Sequence, residues 1–185
     1  MEKSLNKDIL IIPLTQRYDC SSFCCTNAEL NEFLKNNALL DQAHMTSRTY
    51  LCCWKKQTAG YFTLVADTLE VQAVDQSDTI EGYLYRKYPA IKIARLAVDH
   101  SLERNGIGRF ILLAAIGKAI NVSNDIGCRY ITVDSKPESM GFYEKHNFKV
   151  VEKYRYSEFP KMYLNMYPIV AAMRPKENLK EFEER

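Results

Sequence analysis

The residues with the clearest chemical potential form a glycine loop directly before a predicted helix: Arg104, Asn105, Gly106, Ile107, Gly108 and Arg109. The first backbone N–H groups of a helix have no intrahelical partner, and the helix dipole adds partial positive charge there. Gly106 and Gly108 lack the Cβ atoms that would keep an anion away from these N–H groups. Arg104 and Arg109 flank the loop and can add charge-assisted hydrogen bonds. The loop therefore predicts a site for a pyrophosphate.

Two common nucleotide-binding loops do not match this segment. The dinucleotide-binding motif G-x-G-x-x-G needs a third glycine where the chain has Ile111, and the sequence contains no G-x-x-x-x-G-K-[ST] loop of the NTPase type. A single G-x-G also occurs where a chain simply turns into a helix. The loop alone therefore indicates an anion site without naming its ligand.

Three segments together carry a resemblance to a known family. They are Leu96-Ala97-Val98-Asp99, Gly106-Ile107-Gly108-Arg109, and Phe142-Tyr143-Glu144-Lys145 followed by Phe148. In this combination the chain resembles the Gcn5-related N-acetyltransferase (GNAT) family, most closely between about Ala90 and Val150. The resemblance implies acetyl-coenzyme A (acetyl-CoA) as cosubstrate, no metal, and direct transfer of acetyl to a primary amine without an acyl-enzyme intermediate.

The resemblance also implies roles for individual residues. Leu96, Ala97 and Val98 would contact the pantetheine chain, and the glycine loop would hold the pyrophosphate. The Val98 N–H would donate to the thioester carbonyl as an oxyanion donor. Tyr143 would be the general acid for the departing thiolate, because a phenol is protonated at neutral pH. Taken alone, Tyr143 is more simply an aromatic residue on the apolar face of a short helix.

The chain departs from the usual family pattern at three positions. Glu103 stands where the family has Gln or Arg, and its charge would oppose a pyrophosphate unless it points outward. Arg104 stands where the family often has Gly. Asn147 replaces the usual Gly before Phe148, and Asn readily adopts a left-handed conformation, so the turn is expected to survive.

The sequence does not identify a general base. Asp67 and Asp134 lie at the ends of predicted strands and are the carboxylate candidates, although such groups are mostly solvated or capping. An α-amino group, with a pKa near 8, needs little help. Two further sets have weaker claims: the histidines His44, His100 and His146, expected to have surface or packing roles, and Ser135, Lys136 and Ser139, which could touch coenzyme A or cap a helix.

Further segments resemble one branch of the family, the toxins that acetylate aminoacyl-tRNA. They are residues 28–34, 47–49, 60–64 and 95–99. This resemblance implies charged tRNA as acceptor, a ribbon-helix-helix antitoxin as partner and a possible homodimer.

Two segments interleave aromatic and basic residues, as single-stranded nucleic-acid sites do: Tyr83, Tyr85, Arg86, Lys87, Tyr88 and Lys92, and Lys153, Tyr154, Arg155 and Tyr156. The alternatives are a small-molecule or protein amine as acceptor, or a module that binds coenzyme A or a partner without catalysis.

The hydrophobic pattern predicts the elements that position these residues. Strands are expected at 9–12, 49–54, 60–71, 90–98, 130–133, 148–151 and 162–170, and helices at 27–43, 109–124 and 138–146. Residues 72–88 are expected to form an irregular excursion. The order predicts an α/β (α+β) fold with a mixed sheet of six to seven strands and helices on both faces. The resemblance adds a mostly antiparallel sheet with a splayed central strand pair.

Size and composition agree with a compact enzyme domain. The 185 residues suit one domain at 1–173, followed by a charged tail at 174–185. The net charge of +2 gives no bulk attraction to nucleic acid. The N-terminal residues do not form a signal peptide and no apolar run would span a bilayer, so we expect a cytoplasmic protein with no membrane contact and reduced cysteines. The spacing of Cys20, Cys24 and Cys25 does not favour a zinc site.

Overall fold

The computed structural model describes residues 9–55 and 57–173, which contain one seven-stranded sheet with the order β1-β2-β3-β4-β5-β7-β6. The strands are β1 (Ile9–Pro13), β2 (Arg48–Trp54), β3 (Gln57–Glu70), β4 (Lys87–Val98), β5 (Tyr130–Asp134), β6 (Lys149–Val150) and β7 (Lys161–Asn165). The pairing of β4 with β5 is parallel and the other described pairings are antiparallel. The predicted mixed, mostly antiparallel sheet is therefore confirmed.

Helices cover both faces of this sheet, as predicted. They are α1 (Ala28–Glu32), α2 (Ala38–Ala43), α3 (Ile107–Asp125), α4 (Met140–Glu144) and α5 (Tyr167–Met173). One face packs against α3, whose Ile111 and Leu112 are buried in the largest apolar cluster. The opposite face packs against the α1–α2 segment through Phe33 and Leu34. A third cluster lies at the far end of that same face, around Tyr88 and neighbouring tyrosines.

The helix predicted at 27–43 is present but changes its winding. The Asn27 side chain accepts hydrogen bonds from the backbone N–H groups of Glu29 and Leu30, as expected of an N-cap. A π-helical turn, Phe33–Asn37, then separates α1 from α2. Such turns insert an extra residue into the helix and occur often at functional sites.

Two predicted boundaries are wrong. The last strand ends at Asn165 rather than continuing to 170, because the Asn165 side chain accepts a hydrogen bond from the Tyr167 N–H (3.0 Å) and Pro168 follows in the first turn of α5. β4 begins at Lys87, inside the region predicted as irregular. The remaining elements agree with prediction within a few residues, with 3₁₀ turns at Val71–Ala73 and Gln76–Asp78 in the excursion.

The cysteines follow the faces of the sheet. Cys52 lies in the α3-side cluster and Cys53 packs against the α1–α2 cluster, so these adjacent residues point to opposite faces of the sheet. Cys20 and Cys25 are buried, and the described residues contain no group of three side chains that could hold a metal.

No described helix has both the length and the apolar character needed to cross a bilayer. The charged tail predicted at 174–185 lies outside the described residues.

Candidate active site

The central strands β4 and β5 separate after a short contact and form a fork. They pair at only three positions, ending with Lys92 opposite Thr132. Beyond that point β4 continues to Val98 along β3, and β5 continues to Asp134 along β7. The predicted splayed pair is present, and it leaves a gap between two strand ends into which an extended ligand fits.

A β-bulge in β4 aims backbone groups into this gap. Below the fork, the Pro89 carbonyl accepts a hydrogen bond from the Arg129 N–H (3.1 Å). The backbone N–H and C=O groups of the odd-numbered residues of β4 therefore point toward β5 in this part of the strand. The β3 register then shifts, with Thr63 opposite Arg95 but Leu64 opposite Ile93. Above the shift, the Asp99 N–H donates to the Ala59 carbonyl of β3 (2.9 Å), so the backbone groups of odd-numbered residues now point toward β3. The bulge adds one residue to β4, and the backbone groups of the even-numbered residues above it therefore point toward the fork.

Leu96 and Val98 are the even-numbered residues above the bulge. Their backbone N–H and C=O groups therefore face the gap, where a ligand can use them as a missing strand would. Their side chains pack against the α3-side cluster. Ala97 points the other way and is buried against the α1–α2 segment.

The glycine loop lies beside the open end of the fork and begins α3. Gly106 is the N-cap residue with φ 82°, a left-handed conformation that favours glycine, and it makes no side-chain cap. The first helical hydrogen bond runs from the Phe110 N–H to the Gly106 carbonyl (3.1 Å). The N–H groups of Ile107 and Gly108 precede this bond, at the end of the helix where an anion is favoured.

The neighbouring loop positions explain two departures from the family pattern. Arg104 has φ 60°, the left-handed conformation that the family's usual glycine adopts without strain. Glu103 is exposed, so its carboxylate is able to point into solvent, away from the anion site. Asn147, after α4, also has the expected left-handed conformation, with φ 65°.

Gly108 lies at a narrow contact between three elements. A Cβ atom there would be 3.6 Å from Cγ2 of Val98 and 3.9 Å from the ring of Phe142. These are ordinary contact distances, so a side chain at this position fills the space between the β4 end, α3 and α4. A glycine keeps that space open next to the first N–H groups of α3.

Tyr143 has an unusual environment for a buried tyrosine. Its side chain is only 7% exposed and packs against Phe142 (5.2 Å between ring centroids) and Phe148 (5.5 Å) in the α3-side cluster. The other buried tyrosines use their hydroxyl groups in hydrogen bonds within the protein: Tyr61, Tyr88, Tyr130 and Tyr163. The Tyr143 hydroxyl has no such partner among the described residues. Because the buried side-chain N and O atoms without a partner comprise Ser47 Oγ alone among the described residues, the Tyr143 hydroxyl is accessible and available to a ligand.

Burial also sets the protonation state of Tyr143. Desolvation of the charged form raises the pKa of this phenol to about 12. The side chain is therefore protonated at neutral pH.

Asp99 stabilises the turn between β4 and the glycine loop, a role that was not predicted from the sequence. One carboxylate oxygen accepts from the N–H and hydroxyl of Ser101 (3.1 and 2.6 Å), and the other accepts from the Cys24 N–H (3.1 Å). The His100 N–H and imidazole both bond to the Cys24 carbonyl (2.9 Å each). These contacts fix the turn that leads into the glycine loop. The Asp-x-Ser spacing was the available sequence signal.

The two candidate bases lie at the base of the fork, but both are ion-paired. Lys92 contacts Asp134, and Lys161 lies between Asp67 (3.2 Å) and Asp134 (3.8 Å). Thr132 also donates to Asp67 (2.5 Å). Burial alone would raise the pKa of Asp67, but these hydrogen bonds and the Lys161 charge lower it below its usual value. A carboxylate stabilised in this way is a poor acceptor for a proton from an amine.

The remaining candidates have local structural contacts. The His146 imidazole lies 2.8 Å from the Phe142 carbonyl, and His44 is an exposed residue at the end of α2. The buried Ser135 hydroxyl donates to the Lys136 carbonyl (2.8 Å). These contacts agree with capping and packing roles.

The two aromatic and basic segments are only partly exposed. Tyr88 is fully buried, Tyr83 stacks on it at 4.4 Å, and Arg155 is bound by Glu152 (2.6 Å). Exposed surface in these segments includes Tyr85 (71%) and Tyr156 (95%), together with the basic residues Arg86 and Lys87. The nucleic-acid surface predicted from sequence is therefore reduced to fewer side chains.

A protein-family model matches the part of the chain that contains this site. The model for the acetyltransferase (GNAT) domain matches residues 25–163, which include the fork, the glycine loop and Tyr143. The chain belongs to the GNAT acetyltransferase family. The family and the N-acetyltransferase activity expected from the sequence are confirmed.

The chain is also similar to individual proteins, among them a toxin that acetylates tRNA and the AtaT protein. The tRNA-acetylating toxin of Mycobacterium tuberculosis is 27% identical over 133 residues, which cover 71% of this chain and 79% of the toxin. A structure of AtaT with acetyl-methionyl-tRNAfMet has a TM-score of 0.81 at 22% identity and covers 90% of this chain and 100% of AtaT. AtaTR bound with acetyl-CoA has a TM-score of 0.75 at 23% identity, covering 90% and 99%. At these identities the two structures establish the shared GNAT fold.

Proposed function

We propose that this protein transfers the acetyl group of acetyl-CoA to the α-amine of an aminoacyl-tRNA. The observation that carries the proposal is the hydroxyl of Tyr143, whose ring is buried in the apolar cluster beside the fork. This hydroxyl is protonated and accessible, and it has no protein partner among the described residues. The other buried tyrosines bind their hydroxyl groups within the protein. A general acid needs its hydroxyl available and protonated at working pH.

The residues at the fork fit acetyl-CoA. The first N–H groups of α3, at Ile107 and Gly108, suit a pyrophosphate, and Arg104 and Asn105 lie in the same loop. The backbone of Leu96 and Val98 suits the amides of an extended pantetheine chain. When bound, acetyl-CoA supplies a thioester whose carbonyl is open to attack by an amine. The Val98 N–H is the oxyanion donor in this proposal, and one such donor is typically worth ~3–4 kcal/mol in the transition state.

Tyr143 completes the transfer by donating its proton to the sulfur that leaves. The amine attacks the carbonyl directly, and the C–S bond breaks as the C–N bond forms. The nitrogen then gives up one proton, which restores the Tyr143 phenol directly or through solvent. The thiol produced has an ordinary pKa near 8.5, so protonation by the phenol stabilises charge that develops at the sulfur. The attacking amine must be neutral, and an α-amine with a pKa near 8 is partly neutral at physiological pH without a dedicated base.

The acceptor is inferred from the relatives together with the surface. The Mycobacterium tuberculosis relative is named as a tRNA-acetylating toxin, and the AtaT structure contains acetyl-methionyl-tRNAfMet. Exposed Tyr85, Arg86, Lys87 and Tyr156 offer stacking and phosphate contacts of the kind that bind nucleic-acid ends. We therefore place charged tRNA ahead of free amines as acceptor, and the cytoplasm, where charged tRNA is used, as the compartment.

A partner protein belongs to the same proposal. AtaT has been seen bound to the C-terminus of the antitoxin AtaR, and the AtaT–AtaR complex has been seen bound to DNA. An antitoxin of the ribbon-helix-helix class is the corresponding partner proposed here. A homodimer is proposed with it, as is the division into one catalytic domain, 1–173, and a tail.

Replacement of Tyr143 by Phe tests the catalytic role. The variant Tyr143→Phe loses no hydrogen bond within the described residues, so its thermal stability and acetyl-CoA dissociation constant should stay close to those of the wild type. Turnover should fall by ~10²-fold or more, because proton donation is lost. The measurement pairs steady-state acetyl transfer with calorimetric binding of acetyl-CoA.

A matched control separates chemistry from packing. The Tyr130 hydroxyl donates to the Asp78 carbonyl (2.5 Å), so Tyr130→Phe should cost about 1 kcal/mol of stability while turnover is retained. A Tyr143→Phe variant that keeps its turnover within a factor of about two would show that the general-acid role is wrong.

A further inference from the structure

Arg95 is held against an aromatic stack on the face of the sheet opposite α3. Its Cζ lies 3.5 Å from the centre of the Phe33 ring, which is van der Waals contact for a stacked guanidinium. Phe33 is 4% exposed and stacks on Tyr61 at 6.3 Å and 24°. The Tyr61 hydroxyl is in turn tied to the Leu30 carbonyl of α1 (2.7 Å). The position of Arg95 is therefore fixed by buried groups.

The donors of Arg95 have no protein acceptor in the part of the chain that the structure describes. The half-buried side chain makes no ion pair and no hydrogen bond there. The charged side chains below it on the same face, Lys92, Asp134 and Lys161, pair with one another instead. A guanidinium carries five N–H donors, and partial burial makes unsatisfied donors costly. A stacked face with an open N–H edge suits a planar or tetrahedral oxyanion.

The place of Arg95 in the fold connects it to the acceptor rather than to coenzyme A. It directly precedes Leu96, whose backbone faces the fork, but its side chain lies on the opposite face of the sheet from α3 and the glycine loop. The π-helical turn that starts at Phe33 and the β-bulge beside Ile93 bring the two side chains together. Two local irregularities thus create this one contact.

We propose that Arg95 binds an anionic group of the acceptor and so positions its amine at the fork. This rests on the proposed function, in which the acceptor is an aminoacyl-tRNA. An aminoacyl ester has no free carboxylate, so the anions that it presents are the phosphodiesters of the RNA end. A free amino acid would present its carboxylate to the same guanidinium. Arg95 is thus assigned as an acceptor-specificity residue with a bidentate oxyanion contact.

Kinetics with acceptors that differ in their anions test this assignment. Arg95→Gln is compared with the wild type on charged tRNA, on a free amino acid and on the corresponding amino-acid amide, which has the amine but no anion. The variant should raise KM for charged tRNA by about 10- to 100-fold, with the KM for acetyl-CoA unchanged. The slope of log affinity against log salt should fall by about one contact. Turnover on the amide should not change.

Two further variants exclude a merely structural role. Lys118 Nζ also lies over an aromatic ring, at 5.1 Å from Tyr50 on the α3 side, so Lys118→Gln removes a stacked cation without touching the proposed contact. It should leave acceptor KM unchanged. Arg95→Lys keeps the charge but loses the planar fork, and should recover only part of the affinity.

The outcomes separate this proposal from the proposed function. An equal loss on the amide and on charged tRNA, or an unchanged KM for charged tRNA in Arg95→Gln, would overturn the role of Arg95. A wild-type enzyme that uses the free amino acid and not charged tRNA would overturn the tRNA acceptor. In that case a KM effect of Arg95→Gln on the amino acid but not on its amide would still support an oxyanion contact.

Discussion

Tyr143 and the two candidate carboxylates have opposite electrostatic environments. Apolar burial raises the pKa of Tyr143 and keeps its proton in place, whereas the Thr132 hydrogen bond and the Lys161 charge lower the pKa of Asp67. Asp134 is ion-paired with Lys92 and Lys161. In the proposed mechanism Tyr143 is the proton donor, and both candidate carboxylates are engaged by lysines. The acceptor amine must lose its own proton to solvent before or during attack.

This assignment predicts the pH dependence of kcat/KM. The rate should rise with pH through the pKa of the acceptor amine, near 8 for an α-amine, because only the neutral amine attacks. Tyr143, with a pKa of about 12, stays protonated and should produce no falling limb below about pH 10. Initial rates on a stable amino-acid amide or a free amino acid between about pH 6 and 9.5 measure this profile. A falling limb near pH 8.5 that disappears in Tyr143→Phe would contradict the assignment.

At the level of elements, the fork depends on contacts that cross four strands. The Lys92, Asp134, Lys161, Asp67 and Thr132 side chains join β3, β4, β5 and β7 where β4 and β5 part. Removing one partner would leave a partly buried charge without compensation. The network thus acts as a clamp that fixes the angle of the fork, and the bulge above it turns the Leu96 and Val98 backbone toward the gap.

Two glycines of α3 give a matched test of the loop. Gly108→Leu should raise the dissociation constant for acetyl-CoA by at least about tenfold, because the side chain fills the space beside Val98 and the first N–H groups of the helix. Gly117 lies in the same helix, and nothing described is within 4 Å of a Cβ placed there. Gly117→Leu should bind normally and gain about 0.5–1 kcal/mol from helix propensity. Calorimetric binding with thermal unfolding checks both variants, and equal affinities would contradict the loop's role.

Local signals account for what the sequence predicted well. The glycine loop and the left-handed Asn147 depend on residues within a few positions of each other, and the structure confirms their geometry. The bulge in β4 and the ion-pair clamp depend on register between distant strands, so no local pattern marked them. The end of β7 was mispredicted because Met162–Val170 is mostly apolar, although Asn165 and Pro168 marked the change to helix.

For the molecule as a whole, the proposed roles assign the two substrates to the two faces of the sheet. The α3 face carries the glycine loop and Tyr143, which fit acetyl-CoA, and the opposite face carries Arg95 between the α1–α2 segment and the tyrosine-rich end. The fork is the opening through which the two meet. With a net charge of only +2, acceptor binding must come from a few local contacts rather than from a general positive field.

The most direct test of the account is transfer of label from acetyl-CoA to charged tRNA by the purified protein. Acetyl-labelled acetyl-CoA is mixed with aminoacyl-tRNA, uncharged tRNA and the free amino acid in separate reactions, and the product is identified after mild ester hydrolysis. The account predicts label in the N-acetylamino acid released from charged tRNA, none on uncharged tRNA, and a rate reduced by ~10²-fold in Tyr143→Phe. Label that appears only on the free amino acid would contradict the proposed acceptor. An absence of transfer to every amine would contradict the enzyme mechanism itself.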